Sequence, residues 1–449
     1  MGKLFGTDGI RGKANVYPIT PEVALKMGKA IAAVFGAKGQ GQTRAIIGKD
    51  TRLSGYMLET ALTSGLVSMG MDVHLVGPMP TPAVAHLTKS MIADVGIMIT
   101  ASHNPSEDNG IKIFDGSGFK LPDEIEEKIE DLILGEDDIV PPVPANTGKA
   151  FRIDDAGGRY IEYAKGSIDN KSLRGMKIVL DSAHGAAYDL SPQIFRELGA
   201  DVISINTSPN GLNINDGCGA LYPHKMAPLV IENNADCGIA FDGDADRVIF
   251  CDAKGNVVDG DRIIAMCALD LKERGRLRNN TVAITVMTNL GFHKAMEANG
   301  IDVVTTPVGD RHIIEAMRKH DYVIGGEQSG HIIFKDFATT GDGTIGALMV
   351  LALMKRTGKS VSELAECMDV FPQKLTNLPV REKPPIESID AIQETIKECE
   401  TALGATGRCM LRYSGTENKL RILLEAESQE DVDTWTEKFV AIVKQELGA

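Results

Sequence analysis

Excess positive charge is what this sequence most plainly lacks. Asp and Glu number 62 against 47 Lys and Arg, for a net charge of −15, and no Lys/Arg-rich block offsets it. Such a chain repels polyanions, so a nucleic-acid partner is not expected. Cysteine is sparse as well: the seven are scattered, odd in number and form no Cys-x-x-Cys pair. This argues against a disulfide framework or a zinc site and for a reducing, cytoplasmic setting. No uncharged apolar run is as long as the roughly 18 residues a membrane helix needs. The opening MGKLFGTDGIRGK has no apolar core, and Gly6 stands where a myristoylation signal takes Ser or Thr. No membrane association is expected. The Gly-x-Ser-x-Gly pattern of many hydrolases is also missing.

What is present is an ordinary folded composition, 43% hydrophobic and 24% charged, spread over 449 residues. That length is too great for one core: at about 150 residues per domain it gives roughly three, and three or four are expected. Three segments share one grammar. Gly70-Met71-Asp72-Val73, Gly199-Ala200-Asp201-Val202 and Gly300-Ile301-Asp302-Val303 each read as a helix-ending glycine followed by a strand. Each segment then has a second Asp before an apolar run and a polar loop: Asp94 before VGIMITASHNP, Asp236 before CGIAFDGDADR, Asp321 before YVIGGEQSGH. Eight residues beyond that Asp stand Ser102, Asp244 and Ser329, a different polar group each time. Further strand candidates, AIIGKDTR, KIVLDSAHG and VAITVMTN, alternate with helix-length segments, which implies parallel strands and crossover helices.

The fold expected is α/β: three related α/β domains with mixed, mostly parallel sheets, plus a smaller C-terminal α+β domain, around a central cleft. The divisions fall at 1–153, 154–254, 255–368 and 369–449, with Pro141 to Asn146 as a surface linker. In parallel sheets ligand groups sit at the carboxyl ends of strands, so the polar loops are expected to face one cleft.

Phe241-Asp242-Gly243-Asp244-Ala245-Asp246-Arg247 places three carboxylates at alternate positions after an apolar strand, a donor set suited to Mg2+ with positions left for a phosphate. A calcium loop starting at Asp242 fails, because Arg247 and Ala253 stand where Gly and Glu belong. A phosphatase using Asp242 as nucleophile stays open at this point. Ser102-His103-Asn104-Pro105 puts a hydroxyl at a strand end. Neighbouring strand residues point to opposite faces, so His103 is not assumed to be the base for Ser102. A phosphoryl group needs positioning, a metal and cations more than an activated nucleophile, so Ser102 is a candidate phosphoryl carrier.

His103 and Lys112 are then candidates for acid/base work, and Arg11, Lys49, Arg52, Arg247 and Arg311 are candidate phosphate cations. The loop Arg412-Tyr413-Ser414-Gly415-Thr416-Glu417, with Arg421 beyond it, reads as a phosphate cradle. Glu327 and Ser329, in Glu327-Gln328-Ser329-Gly330-His331, suit sugar hydroxyls. The run Gly341-Asp342-Gly343-Thr344-Ile345-Gly346 has no strand ahead of it and reads as a helix start, not a dinucleotide site.

In that order along the whole chain, FGTDGIRG, TASHNP, DGDADR, GEQSGH and RYSGTE resemble the α-D-phosphohexomutase superfamily. FGTDGIRG, GKDTRLSG, GPMPTPAV and GEQSGH are most similar to the bacterial phosphoglucosamine mutases within it. The resemblance implies an isomerase that interconverts glucosamine 6-phosphate and glucosamine 1-phosphate through phosphoserine at Ser102. It implies one Mg2+ held by Ser102, Asp242, Asp244 and Asp246, and a sugar 1,6-bisphosphate as activator and intermediate. Arg11, His103, Lys112 and Arg247 would surround the transfer. Glu327 and Ser329 would hold the sugar, and Arg412, Ser414, Gly415, Thr416 and Arg421 would grip the non-reacting phosphate. The implied partners are sugar phosphates and a second copy in a homodimer; the product would feed UDP-N-acetylglucosamine and cell-wall precursor synthesis. Relatives commonly have Gly where Ala245 stands and Pro after Glu417, where this chain has Asn418. Three alternatives remain: a phosphoglucomutase or phosphomannomutase of the same superfamily, the Asp242 phosphatase, and a non-catalytic sugar-phosphate sensor.

Overall fold

All three Gly-x-Asp-Val joints turn a helix into a strand. Helices Ser54–Ser68, Leu190–Glu197 and Leu290–Ala298 precede strands Asp72–Pro78, Asp201–Ile205 and Asp302–Thr306. Gly70, Gly199 and Gly300 between them have φ of 89°, 93° and 59°, where only glycine avoids a Cβ penalty. The second repeated Asp has a job too. Asp94 Oδ2 accepts the N–H of Arg44 at 2.8 Å, and Asp236 Oδ2 that of Lys177 at 2.7 Å, so each starts the neighbouring strand. The third copy diverges: Asp321 has φ 57° and pairs with Lys335 at 2.5 Å and Arg278 at 3.0 Å.

The computed structural model describes residues 4–6, 8–36, 42–135, 139–140, 142–414 and 418–448; Pro141 of the expected linker lies outside them. The chain forms two units, one of Met1–Met287 with Ile301–Cys367, the other of Thr288–Gly300 with Met368–Ala449.

The first unit holds three sheets. A six-stranded sheet runs Ile10–Lys13, Asp108–Asp115, Val95–Ile99, Arg44–Lys49, Asp72–Pro78, Ala150–Arg152. A five-stranded one runs Val257–Val258, Val248–Asp252, Cys237–Phe241, Lys177–Asp181, Asp201–Ile205, and a four-stranded one Asp302–Thr306, Thr281–Thr285, Ile324–Gly326, Ile332–Phe334. In every sheet a parallel core is extended by antiparallel strands. The central strands Val95–Ile99 and Cys237–Phe241 are buried at all five positions, as their unbroken apolar runs require. Each therefore delivers the polar loop that follows it from a rigid base.

The second unit is an antiparallel sheet, Gln373–Pro379, Lys419–Ala426, Gly407–Tyr413, covered by helices Asp390–Leu403 and Gln429–Leu447. Helix Leu290–Ala298 belongs to it. Its first N–H donates to buried Glu425 at 3.2 Å, Asn289 donates to Phe371 O at 3.0 Å, and Arg408 donates to both Glu425 and Thr288 O. No helix among the described residues is long and apolar enough to cross a membrane.

The Gly341 to Gly346 run does open a helix, Gly343–Thr357, and a side chain at Gly343 would meet Arg247 O at 2.5 Å. Its N-cap, Asp342, accepts from Ile345 N at 2.9 Å and from the Tyr160 hydroxyl at 2.9 and 3.0 Å. Burial pushes this carboxyl up to about 6, against those bonds. A raised folded value means stability is lost as pH climbs from about 4 to about 6. At 1.4 kcal/mol per pH unit the charged form costs about 3 kcal/mol above that range. Asparagine caps equally well without the charge. Asp342→Asn is thus expected to gain about 1–3 kcal/mol at pH 8 and to lose the wild-type slope between pH 4 and 6, read from urea midpoints across pH. A variant less stable than wild type at pH 8 would contradict this.

Candidate active site

Ser102 ends the run that begins in strand Val95–Ile99, and its backbone is left-handed, φ 51°. Its N–H donates to Thr100 Oγ1 at 2.9 Å; its hydroxyl, 1% exposed with the rest of the residue, donates to Asp242 Oδ2 at 2.7 Å. His103 Nδ1 lies 3.4 Å from the same oxygen. Burial, then the charges of Arg247 and Arg11, push this imidazole down to about 4, so it is neutral near pH 7.

Asp242, Asp244 and Asp246 are buried, and one oxygen of each lies within 4.8 Å of the others. Ala245 between them has φ 57°, the left-handed conformation that glycine takes more easily. Gly243 leaves room for the neighbouring loop: a Cβ there would meet Ser102 O at 2.5 Å. Burial, then the charges of Asp246 and Asp244, hold the Asp242 carboxyl well above its usual range. Asp244 Oδ1 and Asp246 Oδ1 are buried without a hydrogen bond. Crowded hard oxygens of this kind, two of them without a hydrogen bond, fit a small divalent cation.

Lys112, on strand Asp108–Asp115, points Nζ into the triad, 2.9 Å from Asp244, 3.1 Å from Asp246 and 3.2 Å from Asp8. Those carboxylates outweigh the effect of its burial and raise it well above the ordinary lysine range. Arg11, on the adjoining strand Ile10–Lys13, is bound to Asp8. Arg247 leads out of the triad into an antiparallel bridge with His331. That bridge brings in the loop of Glu327, whose Oε1 accepts from Gly309 N at 3.3 Å, and of exposed Ser329, whose hydroxyl donates to Glu327 Oε2 at 3.2 Å. The structure therefore gathers Arg11, Ser102, His103, Lys112, Asp242, Asp244, Asp246, Arg247, Glu327 and Ser329 within one unit.

Phosphoglucomutase/phosphomannomutase profiles match the chain four times: alpha/beta/alpha domain I at residues 2–139, domain II at 158–255, domain III at 259–371 and the C-terminal domain at 375–442. A phosphoglucosamine mutase of Pelobacter propionicus is 53% identical over 450 residues, covering 100% of this chain and 99% of that one. Another from Syntrophotalea carbinolica is 52% identical over 448 residues, 99% of this chain and 98% of that one. This chain belongs to the phosphoglucosamine mutase family of α-D-phosphohexomutases. It is an isomerase of the mutase class. Two solved structures share its fold: a phosphoglucomutase/phosphomannomutase family protein of Burkholderia thailandensis, with TM-score 0.81, 22% identity and 99% of each chain covered, and an Aspergillus fumigatus N-acetylphosphoglucosamine mutase in complex with GlcNAc-6P and magnesium, with TM-score 0.69, 18% identity and 98% and 95% covered.

Three of the cations expected to meet phosphate are engaged by protein groups instead. Lys49 is buried, 2.5 Å from Glu59 and over the ring of Tyr56. Arg52 is wholly buried and bonded to protein. Arg311 pairs with Asp123 and, at 2.8 Å, Glu126. Four groups around Lys112 were missed. Asp8, Lys120, Asp310 and His331 close a ring with Lys112 and Asp246: His331 Nδ1 lies 3.6 Å from Asp246, Nε2 lies 3.3 Å from Asp310, Asp310 is 2.5 Å from Lys120, and Lys120 is bound to Asp8. Asp8, Asp310 and His331 stand inside FGTDGIRG, VGDRH and GEQSGH, where a signal existed; Lys120 carried none.

In the second unit Arg412 and Arg421 lie directly opposite on antiparallel strands. Burial and the Arg421 charge lower Arg412, and Arg421 Nε is buried without a hydrogen bond. Opposed like charges destabilise a sheet unless an anion joins them. Arg421 also reaches Ser414 Oγ at 3.5 Å, and Lys383, unforeseen, donates to Ser414 O at 2.8 Å. Gly415 and Thr416 lie outside the described residues.

Proposed function

We propose that the protein interconverts glucosamine 6-phosphate and glucosamine 1-phosphate, with Ser102 as phosphoryl carrier and the 1,6-bisphosphate of that sugar as intermediate and activator. The observation that carries this reading is the Ser102 hydroxyl, 2.7 Å from Asp242 in a buried carboxylate triad. Asp242, Asp244 and Asp246, with the phosphoserine, would hold Mg2+, which when bound would offset charge on the phosphoryl oxygens.

The remaining work falls to this chain's side chains. A sugar hydroxyl attacks the phosphorus on Ser102; the new P–O bond forms as the P–Oγ bond breaks. His103, neutral and 3.4 Å from Oγ, takes the sugar proton and returns it to Oγ. Lys112, Arg11 and Arg247 supply positive charge around the transferring group. Glu327 and Ser329 hold the sugar hydroxyls. Arg412, Ser414 and Arg421, with Gly415 and Thr416, bind the phosphate that is not transferred. The bisphosphate then turns over and returns its other phosphoryl to Ser102 by the reverse path.

Phosphorus NMR with Mg2+, a trace of sugar 1,6-bisphosphate and glucosamine, glucose or mannose 1-phosphate in parallel tests this. Rapid 6-phosphate formation from the glucosamine substrate alone is the expected result. Faster turnover of glucose or mannose would replace the substrate, and free phosphate without isomerisation would overturn the mechanism.

A further inference from the structure

Arg52 has the largest fully buried side chain in the described structure, at 0% exposure. An arginine is expensive to bury unless its donors are engaged. Here they converge on one loop. Nη2 donates to Ser102 O at 3.1 Å and Asn104 O at 2.8 Å; Nη1 donates to Asp108 O at 3.0 Å and to Pro105 O. Nε and the backbone N–H donate to Asp50, both at 2.9 Å. Asp50 accepts the Thr100 hydroxyl at 2.6 Å, and Thr100 Oγ1 accepts the Ser102 N–H at 2.9 Å. Both backbone polar groups of Ser102 thus end in the Asp50–Arg52 pair. From another loop, Asn215 Nδ2 donates to the same two carbonyls, Ser102 O at 2.9 Å and Asn104 O at 3.0 Å. A serine in the left-handed conformation keeps it only where the surroundings impose it.

We propose that Arg52, together with Asn215, is the positioning residue for the phosphoryl carrier: a clamp on backbone carbonyls that fixes Ser102 in its left-handed turn with Oγ aimed at Asp242. Arg52 touches no substrate phosphate, because no part of it reaches the surface. The inference rests on the mutase reading for its kinetic part and on the geometry alone for its structural part.

A lysine keeps the charge but cannot span four carbonyls. In Arg52→Lys and in Asn215→Ala, amide hydrogen exchange across residues 101–108 is expected to quicken at least about tenfold while exchange in the sheet strands stays near wild type. With the 1-phosphate substrate that wild type turns over, kcat is expected to fall roughly 10- to 100-fold with KM within about threefold. Unchanged exchange at 101–108 in both variants overturns the clamp. So does a rise in KM with kcat preserved, the mark of a lost phosphate ligand, or full rescue of exchange and kcat by lysine. Should wild type isomerise no sugar phosphate, the mutase reading fails, and the exchange data still decide the clamp.

Discussion

Ser102→Ala is expected to lower mutase turnover by at least about 10^4-fold, since removing a covalent carrier removes the path and not merely one contact. Stability should change little: the side chain is small, Ala and Ser bear similar strain at φ 51°, and the clamp acts on the backbone. Mass spectrometry should find a phosphoryl group on Ser102 in wild type after incubation with sugar 1,6-bisphosphate and none in the variant. Asp242→Asn provides the contrast. If Asp242 were itself the nucleophile of a phosphatase, Ala at 102 would leave phosphate release intact and Asn at 242 would abolish it. The geometry favours the carrier reading, because both Asp242 oxygens are already engaged as acceptors, one by the Ser102 hydroxyl at 2.7 Å and the other by the Arg247 N–H at 3.2 Å.

The repeats were legible because they are local. A helix-ending glycine and a strand-starting Asp act within a few residues, and burial on both faces leaves an unbroken apolar run, so the loops carrying Ser102 and the Asp triad could be placed at strand ends. Arg52 was misread for a related reason. A guanidinium in a polar loop has the same sequence signature whether it meets a ligand or the carbonyls of Ser102, Asn104, Pro105 and Asp108, which are supplied by residues some fifty positions away. Lys120 and Asp310, 190 residues apart in sequence, acquire their meaning only when two sheets are brought together. Helix Leu290–Ala298 sits between two parallel strands in sequence, yet Glu425, Arg408 and Phe371 tie it to the second unit. No periodicity encodes such a choice of partner.

The ring around Lys112 leads to the second large effect. Asp244, Asp246 and Asp8 outweigh the desolvation of Lys112 and hold it well above the ordinary lysine range, which supports the part proposed for it as a cation. Methionine nearly fills its volume and removes the charge. In EDTA, Lys112→Met should lose about 3–5 kcal/mol, the usual consequence of breaking a buried pair and leaving the opposite charge uncompensated. Asp8 keeps Arg11 and Lys120, so the deficit concentrates on Asp244 and Asp246. A cation bound by the triad offsets that same deficit. Saturating Mg2+, about 100-fold above its dissociation constant, adds about 2.7 kcal/mol to any state that alone binds it, and tighter binding in the variant should make its gain larger than that of wild type. Thermal melts in EDTA and then in Mg2+ read both quantities, while turnover should remain about 10^2-fold or more below wild type because the positive charge proposed to act on the transferred phosphoryl is not restored. Equal Mg2+ shifts in the two proteins, or a variant as stable as wild type in EDTA, would mean that the carboxylates do not depend on Lys112.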